Sequence, residues 1–164
     1  MKVLGVDPGT VATGYGVVEE RGDAILTLGY GVLTNPARRP IGERLKNIYE
    51  QLLDIINQHR PDAVAVEQPF VASNVRAALA IGRAQAMALL AAASRGIPAA
   101  EYTPAQVKQR VTNYGGSRKE QIQEMVRLQL GLERAPEPHD AADALAVAIC
   151  HLREAHLGRL LAGR

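Results

Sequence analysis

Four acidic residues stand at positions from which carboxylates can do chemistry. Asp7 and Glu67 each follow a short apolar run, and Asp140 and Asp143 lie three residues apart in a segment with the pattern of a helix. A charged group directly after a buried run is costly unless it is paired or bound to a metal. The three-residue spacing places the other two carboxylates on one helical face. If that helix packs beside the two runs, all four acids converge on one point.

Such a cluster favours metal-dependent chemistry on phosphate esters. Clustered carboxylates repel one another, and a hard divalent cation such as Mg²⁺ relieves that repulsion. Two ions about 3.5–4 Å apart can stabilise both the attacking and the leaving oxygen of an in-line phosphoryl displacement. Three of the four acids also have a simpler explanation, whereas Glu67 is harder to explain without a function. Asp7 begins an Asp-Pro-Gly turn, and Asp140 and Asp143 would stabilise the dipole at a helix N-terminus.

The elements that would position these acids alternate between strand and helix. The hydrophobic pattern predicts strands at 2–6, 13–20, 24–33, 63–67 and 97–102, and helices at 41–59, 74–95, from 104 to the glycine-rich loop 113–117, at 118–132 and at 139–157. This order predicts an α/β fold with a mixed sheet. Asp7 and Glu67 then lie at the carboxyl ends of strands, where open α/β sheets place their functional sites.

A tight turn at Arg21-Gly22 would join the second and third predicted strands. This register pairs Gly14 with Gly29, which begin two copies of the tetrapeptide Gly-Tyr-Gly-Val. Glycines inside strands often mark the close approach of another backbone or of a ligand.

The length and composition of the chain suit one domain of ordinary size. Its 164 residues are 47% hydrophobic but only 4% aromatic, so aliphatic side chains must fill the core. No low-complexity linker interrupts it, and we expect one domain over 1–157 with a frayed tail over 158–164. The single cysteine excludes an internal disulfide, and neither a signal peptide nor an uncharged apolar run of about 18 residues is visible. We therefore expect a soluble, cytoplasmic protein.

Positive charge is concentrated in the middle of the chain. The net charge is +2, but residues 68–130 carry 8 basic and 3 acidic side chains. A local basic excess suits a phosphate-rich partner, although a solvated surface would have the same composition. The sequence shows neither a Gly-x-x-x-x-Gly-Lys-Ser/Thr phosphate loop nor a Ser-His-Asp or Cys-His arrangement. We therefore expect neither ATP use nor a covalent intermediate.

Four motifs, in order, resemble those of the bacterial RuvC family. They span nearly the whole chain and are Gly5-Val6-Asp7-Pro8-Gly9-Thr10, Val66-Glu67-Gln68-Pro69-Phe70, Thr103-Pro104-Ala105-Gln106-Val107-Lys108 and His139-Asp140-Ala141-Ala142-Asp143-Ala144-Leu145-Ala146. The resemblance implies an RNase H-like fold of the retroviral-integrase superfamily, with a mixed β-sheet flanked by helices. It also implies an endonuclease that resolves Holliday junctions by paired symmetric nicks, in DNA recombination and repair.

The same resemblance implies the roles of individual residues. Asp7, Glu67, Asp140 and Asp143 would be both the catalytic residues and the metal ligands. They would hold two Mg²⁺ ions per active site, with Mn²⁺ able to substitute. His139 is adjacent to one of these acids, and a supporting or surface role is expected for it.

Five residues are expected to bind DNA. The resemblance implies that Phe70 stacks near the junction centre, and Lys108 and Lys119 match family lysines that face DNA. Arg76 and Arg118 are added because of the charge of the middle segment alone. Each of these five also has a structural alternative: the aromatic could be a satellite core residue, and exposed cations are commonly just solvated.

The resemblance also implies the partners. They are four-way junction DNA, a second copy of the chain, and the branch-migration helicase complex of RuvA and RuvB. The Ala-rich segment 77–93 resembles the dimer helix of the family. It is apolar nearly all round, so it is either deeply buried or shared with a second subunit.

Other functions share some of these features. A related RNase H-like nuclease acting on structured RNA, of the YqgF type, would use Asp7 and Asp143 in the same way, but the Ala-rich helix and the segment after Glu67 argue against it. A non-catalytic junction-binding subunit would not need all four carboxylates. A sugar-kinase or actin-like ATPase also begins with Asp-x-Gly-Thr, but the chain is too short for its two lobes.

Overall fold

Within residues 1–69 and 74–163, which the computed structural model describes, five strands form one mixed sheet. They are β1 (Lys2–Asp7), β2 (Ala12–Arg21), β3 (Ala24–Thr34), β4 (Ala63–Glu67) and β5 (Ala99–Tyr102), in the spatial order β3-β2-β1-β4-β5. β2 is antiparallel to both β1 and β3, whereas β1, β4 and β5 are parallel. The carboxyl ends of β1, β3, β4 and β5 therefore meet at one edge of the sheet, which we call the carboxyl edge.

Helices cover both faces of this sheet. α1 (Ile41–His59) and α2 (Val75–Ser94) pack on one face, and α3 (Pro104–Thr112), α4 (Lys119–Gln129) and α5 (His139–Ala162) pack on the other. α1 has buried side chains at helical spacing along one face, and α3 begins with a capping box in which Thr103 and Gln106 satisfy each other's backbone N–H groups. The predicted α/β architecture with a mixed sheet is confirmed.

Alternation along the central strands divides the core into two clusters. Val3 and Ala65 face α3, α4 and α5, whereas Leu4 and Val64 face α1 and α2. Successive side chains of a strand point to opposite faces. The odd-numbered residues at the ends of β1 and β4 therefore belong to the face that α5 covers.

α5 is the most enclosed helix. From Ala141 to Cys150 every residue except Asp143 is buried. The sheet contacts this helix on one side, and α3 and α4 contact it on the other. Its first half is thus surrounded by protein, whereas the exposed Leu160 belongs to a second half that extends past the sheet.

Glycines let α5 lie directly on the backbone of β1 and β2. A Cβ atom at Gly5 would lie 2.0 Å from the carbonyl oxygen of Ala144, and one at Gly14 would lie 1.9 Å from that of Asp140. No side chain fits at these distances. The glycines predicted to mark a close approach do so at Gly14, and the approaching backbone is that of a helix.

α2 buries only one of its sides. Ala84 and Ala88 pack towards α1 and β4, whereas Leu79 and Leu90 are 57% and 50% exposed. By length and composition alone this helix is also apolar enough to cross a membrane. Its packing against α1 and β4 is that of a helix of a globular fold.

The hairpin of β2 and β3 has a different register from the predicted one. Its turn comes one residue later, and a β-bulge between Val17 and Val18 adds a further shift. Gly29 is therefore paired with Val17 and not with Gly14. A bulge inserts one unpaired residue and leaves no mark in the hydrophobic pattern.

The C-terminal segment also differs from the prediction. α5 continues to Ala162, whereas the sequence indicated an end at 157 and a frayed tail. Gly158 does not end the helix, since its backbone stays helical and nothing crowds it. Residues 158–162 therefore belong to α5 in the structure, and the helix ends five residues later than expected.

Candidate active site

Strand pairing brings Asp7 and Glu67 together at the carboxyl edge. Val6 is paired with Val66 in the parallel β1–β4 ladder, so the next residue of each strand also lies side by side. Each acid is the last residue of its strand, follows four buried residues and is itself only partly exposed. Each carboxyl group is thereby placed beside another acid, and burial and the charge of Glu67 both contribute to raising the pKa of Asp7.

α5 supplies the other two acids. Its first turn passes over the ends of β1 and β2, and carboxylate oxygens of Asp7, Asp140 and Asp143 all lie within 4.8 Å of one another. Glu67 is outside this group of three but is close enough for its charge to act on Asp7. The structure therefore brings together all four acids singled out in the sequence.

The electrostatics of the cluster are those of crowded, dehydrated carboxylates. Burial, followed by the neighbouring charges of Glu67, Asp143 and Asp140, raises the pKa of Asp7 to about 9. Burial likewise raises the pKa of Glu67 and of Asp143. Groups held in this way gain most from a positive charge placed among them.

The donor set fits a hard divalent cation. Oxygens that share one Mg²⁺ at about 2.0–2.1 Å are separated by no more than about 4.2 Å, so Asp7, Asp140 and Asp143 need only small shifts to do so. Carboxylate oxygen is the ligand type that Mg²⁺ and Mn²⁺ prefer. The part of the chain that the structure describes places no cysteine and no histidine among these oxygens.

Two lysines line the cleft beside the acids. Nζ of Lys119, at the first position of α4, lies 3.3 Å from Oδ2 of Asp143. Lys108 of α3 lines the same cleft, and its charge acts on Glu67 to oppose the rise in the pKa of that acid. The cleft, about 190 Å³ in volume, is floored by apolar side chains of α3, α4 and α5 that include Ile122.

The remaining predicted residues lie outside this cleft or outside the described chain. Arg118 is exposed directly before Lys119, while Arg76 is exposed on the first turn of α2 and is not among the residues that line the cleft. His139 is exposed, and its Nδ1 lies 2.6 Å from Nε2 of Gln123 in α4. Phe70 falls in the segment 70–73, outside the described residues.

The loop after Asp7 is held by contacts that the sequence analysis missed. The hydroxyl of Thr13 donates to the carbonyl of Gly9 at 2.6 Å, and Nη1 of Arg44 donates to the hydroxyl of Thr10 at 3.2 Å. The backbone N–H of the buried Asn35 donates to the carbonyl of Val11 at 2.8 Å. Hydrogen bonds between residues 24 or 34 positions apart have no periodic signature, so no sequence signal indicated them.

An acidic cluster at the carboxyl edge of a mixed sheet, with a helix laid across the strand ends, defines an RNase H-like nuclease. The chain belongs to the RuvC family, because the family model described as crossover junction endodeoxyribonuclease RuvC matches residues 3–151. The resemblance drawn from the four sequence motifs is confirmed.

Relatives and solved structures agree with this membership. The chain is 55% identical over 151 residues to the crossover junction endodeoxyribonuclease RuvC of Dehalococcoides mccartyi. This match covers 92% of this chain and 90% of that protein. The structure of Thermus thermophilus RuvC is 38% identical, with a TM-score of 0.89 over 96% of this chain and 97% of that one. T. thermophilus RuvC in complex with a Holliday junction substrate is 37% identical, with a TM-score of 0.88 over the same shares. The RNase H-like fold is thereby confirmed.

Proposed function

We propose that this protein resolves Holliday junctions by paired symmetric nicks, through metal-dependent hydrolysis of phosphodiesters. One observation carries the proposal: carboxylate oxygens from β1 and from α5 lie within 4.8 Å of one another beside a cleft lined by two lysines. Membership of the RuvC family supports the substrate, since T. thermophilus RuvC has been solved with a Holliday junction. The setting would be DNA recombination and repair.

The four acids are the proposed metal ligands. Asp7, Glu67, Asp140 and Asp143 would hold two Mg²⁺ ions, and Mn²⁺ would substitute because it prefers the same oxygen ligands. Bound there, divalent cations supply charge stabilisation for the attacking and leaving oxygens of the displacement. The side chains contribute fixed positions and a dehydrated setting, in which each electrostatic interaction is stronger than in water.

The basic residues would hold the DNA backbone. Lys108 and Lys119 line the cleft and would bind phosphates on either side of the scissile bond, with Arg118 and Arg76 placed further along the same strand. Such contacts position a nucleic acid without reading its sequence. For Phe70 we propose stacking on a base near the junction centre, which is worth about 1–3 kcal/mol for an aromatic side chain.

A homodimer would place two of these sites on one junction. The exposed apolar side of α2, with Val75, Leu79 and Gly82 around a groove that Arg83 also lines, would supply a surface for a second copy. A two-fold axis through α2 would relate the two sites in the same way as the two opposed strands. We further propose that the dimer works in the cytoplasm with the RuvA and RuvB branch-migration complex.

A nuclease of the YqgF type, acting on structured RNA, is the alternative. It is not favoured, because the family model that matches residues 3–151 is that of RuvC. Cleavage of a four-way junction, a plain duplex and a structured RNA, compared at equal concentration, separates the two functions. We expect nicks in the junction alone.

Substitution of Asp7 tests the proposed chemistry. We expect Asp7→Asn to bind a synthetic four-way junction as tightly as the wild type but to lose metal-dependent nicking, since the basic surface is unchanged. Asp23→Asn, which alters an exposed turn residue, is the matched control and should nick normally. Junction cleavage by Asp7→Asn in Mg²⁺ would refute the role given to Asp7.

A further inference from the structure

Arg44 of α1 reaches across to the loop that directly follows Asp7. Its Nη1 donates to Oγ1 of Thr10 at 3.2 Å, although the two residues are 34 positions apart. The loop of residues 8–11, which we call the Asp7 loop, connects the end of β1 to β2 at the carboxyl edge. The contact therefore joins a helix on one face of the sheet to the backbone that carries the central acid.

The backbone of α1 is itself fixed to the same loop. Nδ2 of Asn35 donates to the carbonyl of Arg44 at 3.4 Å, and Oδ1 of Asn35 accepts a bond from Nδ2 of Asn47 at 2.8 Å. The backbone N–H of Asn35 donates to the carbonyl of Val11 at 2.8 Å. Asn35 is only 3% exposed, so these bonds form a buried junction between β3, α1 and the Asp7 loop.

The conformation of the Asp7 loop is restricted by contacts within the loop. A Cβ atom at Gly9 would lie 2.2 Å from the carbonyl oxygen of Ala12, and the fully buried hydroxyl of Thr13 is bonded to the carbonyl of Gly9 at 2.6 Å. A displacement at Thr10 is therefore transmitted along a tight turn and is not absorbed by it. Asp7 directly precedes the turn, so a displacement at Thr10 would also move Asp7.

The contacts of Arg44 are not those expected of a residue that serves only to stabilise the fold. Among residues 1–69 and 74–163, no carboxylate lies within 4.0 Å of its guanidinium, and its buried Nε has no hydrogen-bond partner. A buried donor without a partner weakens a fold, and a charged group with one neutral partner gains little from it. By contrast, Lys46 on the same helix is exposed and pairs with Glu50.

We propose that Arg44 is a positioning residue for cleavage: through Thr10 it fixes the Asp7 loop, and thereby the place of the Asp7 carboxylate relative to those of α5. The inference rests on the proposed function, since it concerns the same acids. The group does not touch the reacting atoms. It acts on the geometry in which the divalent cation is held and the phosphate is attacked, and a misplacement of about 1 Å can lower a rate by about 100-fold.

The test measures single-turnover nicking of a four-way junction at saturating protein, together with junction affinity in Ca²⁺. We expect Arg44→Ala and Thr10→Val each to lower the nicking rate by about 10-fold to 100-fold while the junction Kd changes by less than about twofold. Thr10→Ser keeps the hydroxyl and should nick at close to the wild-type rate. The double variant should be no slower than the slower single variant, because both changes remove one contact.

A second readout does not depend on activity. Binding of Mn²⁺ alone, followed by the EPR signal of the free ion, should weaken in Arg44→Ala and Thr10→Val but not in Lys46→Ala, the matched control on α1. Arg44→Lys retains the charge and should restore part of the Mn²⁺ affinity. Far-UV circular dichroism of each variant identifies any that fails to fold. If Arg44→Ala does not fold, the inference is tested with Thr10→Val alone.

Three outcomes would overturn the inference. Arg44→Ala and Thr10→Val could nick at the wild-type rate, their effects could add in the double variant, or junction affinity could fall while the nicking rate stays unchanged. The last result would make Arg44 a phosphate contact. None of these is confused with a failure of the proposed function, which would appear as a wild-type protein that does not nick the junction.

Discussion

Asp7 sits where the loss of water and the repulsion of three other acids act on the same carboxyl group. Its pKa in the folded chain, about 9, lies above the ordinary value of 3.8. Between those two pH values the folded chain holds a proton that the unfolded chain has released. The contribution of this group to stability is therefore complete below about pH 3.8 and is lost as the pH rises towards 9.

In the absence of divalent cations, we expect the free energy of unfolding to fall with pH more steeply in the wild type than in Asp7→Asn. The amide of the variant cannot ionise, so the repulsion within the cluster is smaller at alkaline pH. Urea denaturation in EDTA between about pH 6 and 9 measures both slopes. Addition of Mg²⁺ should flatten the wild-type curve, and parallel curves for the two proteins would contradict the raised pKa.

Lys119 forms an ion pair with Asp143 and is also one of the lysines that we propose to bind DNA. Its ion pair with Asp143 at 3.3 Å is half-exposed and contributes little to stability. A cation among the acids would take over the neutralisation of Asp143 and leave the lysine free for a phosphate. We expect Lys119→Gln to lower the salt dependence of junction binding by about one unit of slope in a plot of log K against log salt.

The control for this prediction is Lys46→Gln, which removes an exposed lysine from α1 on the other face of the sheet. It should leave the slope unchanged. Fluorescence anisotropy of a labelled junction over a range of KCl concentrations supplies both values. Equal slopes for the wild type and Lys119→Gln would mean that Lys119 makes no phosphate contact.

At the scale of the elements, the contact between α5 and the sheet decides whether the acids meet. Gly14 in β2 admits the carbonyl of Asp140 at a distance that excludes any Cβ atom. The sequence indicated that glycines in these strands mark a close approach. It could not say what approaches, because a helix 126 residues later in the chain leaves no local signal on β2.

We expect Gly14→Ala to destabilise the protein by about 1–3 kcal/mol or more, since the new methyl overlaps backbone that cannot move aside. The N-terminal end of α5 would be displaced, so the affinity for Mn²⁺ should fall as well. Gly42→Ala is the matched control: nothing lies within 4 Å of its added Cβ, and the helical site in α1 favours alanine. Equal urea midpoints for wild type and Gly14→Ala would contradict the close contact.

The elements themselves were predictable, and their exact pairing was not. Short apolar runs ended by turn residues gave β1 and β4, and these runs place Asp7 and Glu67 at strand ends whatever the strand order. The order β3-β2-β1-β4-β5 and the bulge at Val17 depend on packing across the whole sheet. The sequence analysis ended α5 at 157, directly before Gly158, whereas a helix tolerates one glycine at a cost of about 1 kcal/mol.

At the scale of the whole molecule, α2 presents an apolar side that the rest of the described chain leaves exposed. Leu79 is 57% exposed and Val75 is 72% exposed, beside a groove that Arg83 also lines. Such a surface is costly in water and is typical of a subunit interface. The sequence left two interpretations of this helix open, deeply buried or shared, and the structure shows that the chain alone does not bury it.

If the proposed dimer forms through α2, we expect Leu79→Lys to make the protein monomeric, because a charge would be buried in an apolar interface. Analytical ultracentrifugation measures the change. The monomer should still bind divalent cations but should lose the coupling between the two nicks. Leu160→Lys, which alters a leucine of similar exposure near the end of α5, should leave both properties intact. A monomeric wild type would refute the dimer proposal.

The enclosure of the first half of α5 has a consequence for heat inactivation. The amides from Ala141 to Cys150 can reach solvent only when the sheet or the α3–α4 pair separates from the helix, so their hydrogen exchange should require unfolding of nearly the whole protein. Half of the acids stand on this helix. On heating, activity should therefore be lost at the same temperature as the cooperative unfolding of the protein. No folded but inactive intermediate should be populated below that temperature.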